Sequence, residues 1–369
     1  MSGENVTCAP FTRAVVRAMK KLYPQALADS SWDNTGLLLE APFTPSRRQS
    51  NTVLLTIDLT KAVADEAIAL NSSIIVAYHP IIFKGLKSLT LANTQQQSLL
   101  RLASHGISVY CPHTAVDSAP GGLGDWLADI VTGTPTSSSN ADKEAEDRLS
   151  RLLKEGDNDP FVEKRPTYTL THHPSQLNLR TIKTPSPTAH KRRPVVPHSP
   201  ALESHPGAGM GRIVTFDQPQ PLPSLLDRIG KGLNNPKGFP IAIPQNATVA
   251  DISIRSVGIC AGAGGTLLSG LDVDLLFTGE MSHHEALAAI EKGQVVISLF
   301  HSNSERGFLD AVLRGQLEGQ VETEWDAVRE ESGDDEGLRE ALEDEEIEVV
   351  VSEVDRDPYG IVVLNGGDA

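Results

Sequence analysis

The sequence predicts an α/β protein made of two α/β lobes with largely parallel sheets, interrupted by a disordered polar insertion. Three observations predict it. Short β-branched runs such as Thr52-Val-Leu-Leu-Thr-Ile57 and Ser73-Ile-Ile-Val-Ala77 alternate with helical stretches in both end regions of the 369-residue chain. Continuously apolar strands alternating with helices are the pattern of a parallel sheet covered on both faces. Several of these runs pass directly into polar residues, as buried strands do where they meet a loop. Between the two regions the texture changes to proline, serine and charge with few aromatics, a composition that buries too little apolar surface to offset chain entropy.

In the first lobe, residues 1–135, Phe11 to Tyr23 reads as an amphipathic helix carrying Arg13, Arg17, Lys20 and Lys21. Thr52 to Ile57 is a strand ending at Asp58. Lys61 to Leu70 is a helix with Thr60 as its cap, because a hydroxyl there accepts from first-turn amides. The strand Ser73 to Ala77 follows. Thr94 to His105 is helical and Gly106 stops it, before the strand Ile107 to Cys111. The insertion, residues 136–206, contains Thr184-Pro-Ser-Pro187, Lys191-Arg-Arg-Pro194 and His198-Ser-Pro200, with one short helix at Lys143 to Lys154. In the second lobe, residues 207–369, order returns at Gly207 to Phe216, and Pro223 to Leu233 is helical. Ile252 to Ile259 alternates like a strand, and Ala261-Gly-Ala-Gly-Gly265 leads into an apolar helix, Thr266 to Ser269. Asp274 to Thr278 is a strand. Ser282 caps the helix His283 to Lys292, with Glu285 at the capping-box position. Val295 to Phe300 is a strand, and Ser304 to Arg314 a helix ended by Gly315.

A hydrophobic content of 39% suits a sizeable core. No stretch approaches eighteen uninterrupted apolar residues and the N-terminus has no apolar h-region, so neither a membrane span nor a secretory signal is expected. Three cysteines with no CxxC spacing predict reduced thiols and an intracellular, cytoplasmic protein, with a mitochondrial or nuclear pool as the alternative. The charge of −16 is local: Glu322 to Glu348 carries fourteen acidic residues against two arginines, a net of −12. Outside that segment the chain is nearly neutral, so direct nucleic-acid binding is not indicated. The segment itself, 322–348, reads as a solvated, tail-like stretch, with docking of a basic partner as the alternative.

Three apolar runs end in side chains that suit metal ions. Ser73 to Ala77 runs into Tyr78-His79-Pro80; Gly106 to Cys111 runs into Pro112-His113-Thr-Ala-Val-Asp117; Gln294 to Phe300 runs into His301, with Glu305 four residues on. In α/β sheets ligands bind at such carboxyl ends. His301 and Glu305 share one face if a helix begins by Ser302, and a divalent cation accepts neutral imidazole and carboxylate together. A lone HxxxE is usually a surface pair, but His79 and Asp117 stand in the equivalent place after two other strands, and four such residues at three strand ends point to a shared site. His172-His173-Pro174 has no buried strand before it and reads as disordered histidine. Gly262-Ala-Gly-Gly265 fits a tight turn as well as a phosphate cradle. His283 and His284, at a strand-to-helix turn, are candidates for proton transfer, with a cap or supporting role as the bland alternative. Cys111 reads as a buried thiol.

At these residues the chain resembles the GTP cyclohydrolase I type 2 homologues, also called the NGG-one-interacting-factor-three-like family. The resemblance rests on Trp32-Asp-Asn-Thr-Gly36, Tyr78-His-Pro-Ile-Ile-Phe83, His113-Thr-Ala-Val-Asp117, Gly209-Met-Gly-Arg-Ile-Val214, Gly258-Ile-Cys-Ala-Gly-Ala-Gly-Gly265, Thr278-Gly-Glu-Met-Ser-His-His-Glu285 and His301-Ser-Asn-Ser-Glu-Arg-Gly307, in that order. It covers both lobes but neither the insertion nor the acidic segment. The resemblance implies a dinuclear metal centre in a homohexamer. His79, Asp117, His301 and Glu305 are then ligands of one or two divalent ions per subunit (Zn, Fe, Mn or similar). Tyr78 stands where the family has a further histidine, and a phenol, with a pKa near ~10, is the poorer ligand. Two functions follow as expectations: a metal-dependent hydrolase of a phosphorylated or nucleotide-like small molecule, or a non-catalytic metal-binding protein with a transcription-adaptor partner. A metal-handling role is a third.

Overall fold

A computed structural model describes residues 7–135, 187–234, 236–333 and 335–362. In chain order its elements are α1 (Pro10–Leu22), β1 (Gly36–Leu39), β2 (Ser50–Thr56), α2 (Lys61–Ala69), β3 (Ser72–Ala77), α3 (Thr94–Ser104), β4 (Ser108–Cys111), α4 (Thr114–Ser118), α5 (Leu123–Thr132), β5 (His190–Arg193), β6 (Val196–Pro197), β7 (Gly209–Met210), β8 (Arg212–Pro221), α6 (Leu222–Gly232), β9 (Ile241–Ala242), β10 (Ser253–Ala263), α7 (Gly265–Leu268), β11 (Leu275–Glu280), α8 (His283–Glu291), β12 (Val295–Ser298), α9 (Arg314–Ser332) and β13 (Glu348–Val351). The chain divides into two compact units, each discontinuous in sequence. One comprises residues 1–124, 196–210 and 308–356; the other comprises 125–195, 211–307 and 357–369. The α/β class with largely parallel sheets is as the sequence predicts.

The first unit is built on a five-stranded sheet in the order β1-β4-β3-β2-β13. Only β1 runs antiparallel; β4, β3, β2 and β13 are mutually parallel. The Ser-Ser-Ile-Ile-Val-Ala run of β3 is buried along its whole length, as a strand covered on both faces must be. Leu54, Ile75, Ala77 and Val109 pack with Val63, Ala67, Leu99 and Leu102 of α2 and α3. Side chains alternate across a strand, so Val53, Leu55, Ile74 and Val76 lie on the opposite face, where α1 and α9 pack on each other and on β3 and β13. Thr60 caps α2 through the Val63 amide (3.3 Å), as its position predicts. Asn93 caps α3 by accepting from Gln95 and Gln96.

Two expectations fail in this unit. Gly315 does not stop a helix: the chain passes through a π-helical turn, Leu309–Leu313, into the nineteen-residue α9. A helical glycine costs about 1 kcal/mol, whereas burial of Leu317, Val321, Trp325 and Val328 stabilises by roughly 1.5–3 kcal/mol per side chain. Nor is the acidic segment a solvated tail. Trp325 packs edge-on against Phe11 with centroids 5.4 Å apart, and its indole donates to the Asp344 carbonyl. Glu324, 3% exposed, pairs with Lys21 at 2.5 Å, and Arg17 makes a two-pronged pair with Glu331. The basic residues of α1 thus meet the acidic residues of α9. The segment ends in β13, whose Val-Val-Val core pairs with β2.

The second unit has a six-stranded sheet in the order β5-β8-β10-β11-β12-β9. Its middle strands β10, β11 and β12 are parallel, and the outer pairings are antiparallel. Ile213, Leu268, Val273, Leu276, Ala289 and Val296 form a core beneath α7 and α8. The strand β5 lies inside the stretch that composition assigns to a disordered insertion. Its alternating half-buried and exposed residues carry no apolar signature, because it is an edge strand held by pairing and by charge. Arg192 reaches Asp125 at 3.1 Å and Asp129 at 2.5 Å, and the buried Arg212 also holds Asp125. The expected helix Lys143 to Lys154 and the pair His172-His173 lie outside the described residues. No described helix is long and apolar enough to cross a membrane.

Candidate functional site

Three parallel strands of the first unit deliver polar residues at their carboxyl ends. β2 runs into Asp58, β3 into Tyr78 and His79, and β4 into His113 and α4, which carries Asp117. The backbone holds this turn closely: the Tyr78 amide donates to Thr56 O (2.8 Å) and the His79 amide to Ile57 O (3.0 Å). The Cys111 thiol donates to the Tyr78 carbonyl at 3.0 Å; burial pushes that thiol well above its ordinary pKa. This matches the reading of Cys111 as a buried thiol.

His79 places Nδ1 2.9 Å from Asp58 Oδ1. A carboxylate on one ring nitrogen is the arrangement usual for metal-binding histidines, which use the other nitrogen. The Tyr78 hydroxyl donates to Asp117 Oδ1 at 2.7 Å, so these two candidates are brought together. His113 pairs through Nδ1 with Asp33 Oδ1 at 2.6 Å, and Asp33 Oδ2 accepts from the Thr114 amide and hydroxyl. Burial would raise the Asp33 pKa, but the hydrogen bonds from His113 and Thr114 outweigh it and leave the carboxyl below its usual value. His113 has φ +34°, an uncommon conformation for a residue with a side chain; the Asp33 contacts hold it. The His113 ring lies 5.4–5.6 Å from those of Tyr78 and His79. Trp32 stands against it at 5.7 Å.

The second unit repeats this logic. His301 Nδ1 lies 3.0 Å from Glu280 Oε1, and Nε2 lies 3.6 Å from Glu305 Oε1. Glu280 ends β11, and His301 begins the turn after β12. The expected i,i+4 pairing is present, although the residues between form a 3-10 turn, Ser302–Ser304, rather than an α-helix. Ser304 fastens this turn: its hydroxyl donates to His301 O and accepts from the Gly262 amide at 2.8 Å. His301 and Glu305 make a His/Glu group of the kind that could hold a metal ion.

The glycine run acquires a specific role here. Gly262 has φ +57°, and a Cβ on it would lie 2.7 Å from Glu305 Oε1 and 3.0 Å from His301 Nε2. Backbone therefore approaches the His/Glu pair at a distance only glycine permits. The tight-turn reading of Gly262–Gly265 fits this contact, and the four-residue α7 is too short for a phosphate-binding helix start. His283 and His284 occupy the first turn of α8, both exposed, their rings 5.2 Å apart. The predicted capping box of Ser282 and Glu285 is present.

The residues present fit a divalent cation. Both candidate histidines carry a carboxylate on Nδ1, and the buried Glu305, 2% exposed, sits beside a backbone cradle that a Cβ would fill. Asp58 and Glu280 were not singled out by spacing. The signal available was their position, each closing a strand like the ligand candidates themselves.

The family model described as Duf34/NIF3 (NGG1p interacting factor 3) matches residues 11–332. A protein NIF3 homolog of Schizosaccharomyces pombe is 39% identical over 311 residues, covering 84% of this chain and 90% of its own. The NGG1-interacting factor 3 of Saccharomyces cerevisiae is 35% identical, with 94% and 96% covered. Among solved structures, a Bacillus cereus protein related to NIF3 superposes with a TM-score of 0.58 at 19% identity, over 95% of this chain and 98% of that one; a likeness at that identity speaks to fold.

Proposed function

The chain belongs to the Duf34/NIF3 family, and from that premise we propose that it is a metal-binding protein, with hydrolysis of a phosphorylated or nucleotide-like small molecule as its activity. A divalent transition ion (Zn, Fe, Mn or similar) would be held by His79, Asp117, His301 and Glu305. The observation that carries this reading is the pair of carboxylate–histidine contacts, Asp58 on His79 and Glu280 on His301. Such contacts fix the ring orientation and raise the basicity of the coordinating nitrogen. When bound, a cation supplies Lewis acidity toward a phosphoryl oxygen and lowers the pKa of water. His283 and His284, exposed at the start of α8, are proposed to move the proton. The protein would work as a homo-oligomer, a hexamer by the family resemblance, in the cytoplasm.

The test is elemental analysis after chelator-free purification, followed by metal-dependent turnover on a panel of phosphoesters and nucleotides. Wild type should carry metal, and His301→Ala with Glu305→Ala should remove it together with any turnover. A metal-free wild-type protein sinks the proposal.

One observation favours a second reading. The yeast relative, similar over nearly the whole chain, is named for interaction with NGG1. A non-catalytic, metal-binding protein docking on a transcription-adaptor partner accounts for that name. Metal without turnover on the whole panel would favour it.

A further inference from the structure

Resting on the metal-binding reading, we propose that Tyr78 limits this chain to one cation, by committing one oxygen of Asp117 to a hydrogen bond rather than to a second ion. The sequence leaves one or two ions open, and the family resemblance implies two; the geometry of the first unit argues for one.

Tyr78 is 4% exposed and is held from three sides. Its amide is bound by Thr56, its carbonyl receives the Cys111 thiol, and its ring stacks obliquely on His79 with centroids 5.0 Å apart. A side chain so enclosed has little freedom to swing its oxygen elsewhere. At 2.7 Å from Asp117 Oδ1 the hydroxyl oxygen is at ordinary O–H···O distance. A carboxylate accepts and never donates when ionised, so the hydroxyl hydrogen points to Oδ1. That places a hydrogen, with its partial positive charge, in the region a second cation beside Oδ1 would occupy. Coordination by Asp117 then falls to Oδ2.

The other carboxylates in the cluster are committed too. Asp58 holds His79 Nδ1, and Asp33 holds His113 Nδ1 and the start of α4. In this unit the proposed ion would take one imidazole, from His79, and one carboxylate oxygen, Oδ2 of Asp117. The aromatic hydroxyl also acts as a positioning group, since the hydrogen bond orients the Asp117 side chain on the short α4.

The experiment counts metal per chain by elemental analysis and native mass spectrometry in wild type, Tyr78→Phe and Tyr78→His. It also records the visible spectrum of the ferric-loaded proteins, since a tyrosine oxygen bound to ferric iron gives a charge-transfer band. The expected result is one ion per chain in wild type, two in Tyr78→His, a second, weaker-held ion in Tyr78→Phe because Asp117 Oδ1 is released, and no tyrosine-dependent band. Tyr78→Phe should release its first ion several-fold faster to a chelator, because Asp117 loses its orienting partner. Two ions per wild-type chain, one ion still in a folded Tyr78→His, or a band that Tyr78→Phe abolishes would each overturn the inference while leaving metal binding intact. Absence of metal from wild type would instead overturn the underlying reading. If Tyr78→His does not fold, the wild-type count and the ferric spectrum still decide.

Discussion

Gly262→Ala separates two consequences of the close approach between β10 and the His301–Glu305 pair. The first is backbone strain. At φ +57° an L-residue pays about 1–2 kcal/mol. The second is overlap. The added Cβ would stand 2.7 Å from Glu305 Oε1, whereas ordinary contact starts at 3.4 Å, so the oxygen must retreat about 0.7 Å or β10 must yield. Glu305 is 2% exposed and has little room to retreat. His301 Nε2, at 3.0 Å, must move as well. Gly270→Ala is the control, because Gly270 has φ +80° and nothing within 4 Å of the new Cβ. Both variants should lose about 1–2 kcal/mol in urea denaturation from strain alone, which is a factor of roughly 5–30 in the folded ratio. Only Gly262→Ala should also lose bound metal, measured by elemental analysis of the folded protein. Equal metal contents in Gly262→Ala, Gly270→Ala and wild type would refute the claim that this glycine exists to admit the His/Glu pair.

Two further outcomes follow from the first unit. The folded-state pKa of Asp33 is depressed: burial opposes this, but the bonds from His113 and Thr114 prevail. Such a group contributes stability at pH above the unfolded carboxyl value near ~3.9, and the contribution is lost as pH falls through the lower folded value. Asp33→Asn should therefore flatten the acid limb of the urea midpoint below about pH 4; an acid limb that keeps its wild-type slope contradicts this. Trp325→Ala removes a side chain 1% exposed that packs on Phe11 and donates to Asp344 O. It should cost about 3–5 kcal/mol in equilibrium unfolding. A loss under about 1 kcal/mol, the range of exposed sites, would mean that the acidic helix is as solvated as its charge suggests.

How far the sequence reaches depends on which signal an element carries. β3 and β12 are legible because each is a short β-branched run buried on both faces. Their carboxyl ends could then be located, and with them His79 and His301. α9 is hard to read because its charge is visible in the sequence, while the four apolar residues of its inner face are spread over twelve positions. Its dependence on α1 is a long-range fact: Lys21 and Glu324 are ion-paired from opposite ends of the chain. β5 is illegible for the complementary reason, since an edge strand with alternating exposure lacks apolar continuity. At the candidate site the ligand types were legible, and their supports were not. Asp58 and Glu280 are ordinary acidic residues until the fold puts each against a histidine. Tyr78 was identified as the odd member, but its bond to Asp117 depends on where α4 begins, and that turns on the left-handed His113.

The proposal that one cation is held by His79, Asp117, His301 and Glu305 can be tested without reference to any substrate. Suppose His79 and His301 served separate ions. Each single alanine substitution would then remove one ion, the double would remove two, and the free-energy losses would add, as they do for independent sites. Suppose instead that they serve one ion. Either single substitution would strip most of the affinity, and the double would be scarcely worse, leaving a coupling energy of about 0.5–3 kcal/mol, the range for residues that share a partner. Competition with a chelator of known affinity measures all four proteins in the cycle, and circular dichroism confirms that each remains folded. Strict additivity would divide the site into two, and the assignment of His79, Asp117, His301 and Glu305 to one cation would fall. Strong coupling would make it the joint property of residues drawn from the ends of β3, β4 and β12, which is what the recurrence of metal-type side chains after apolar strands implied.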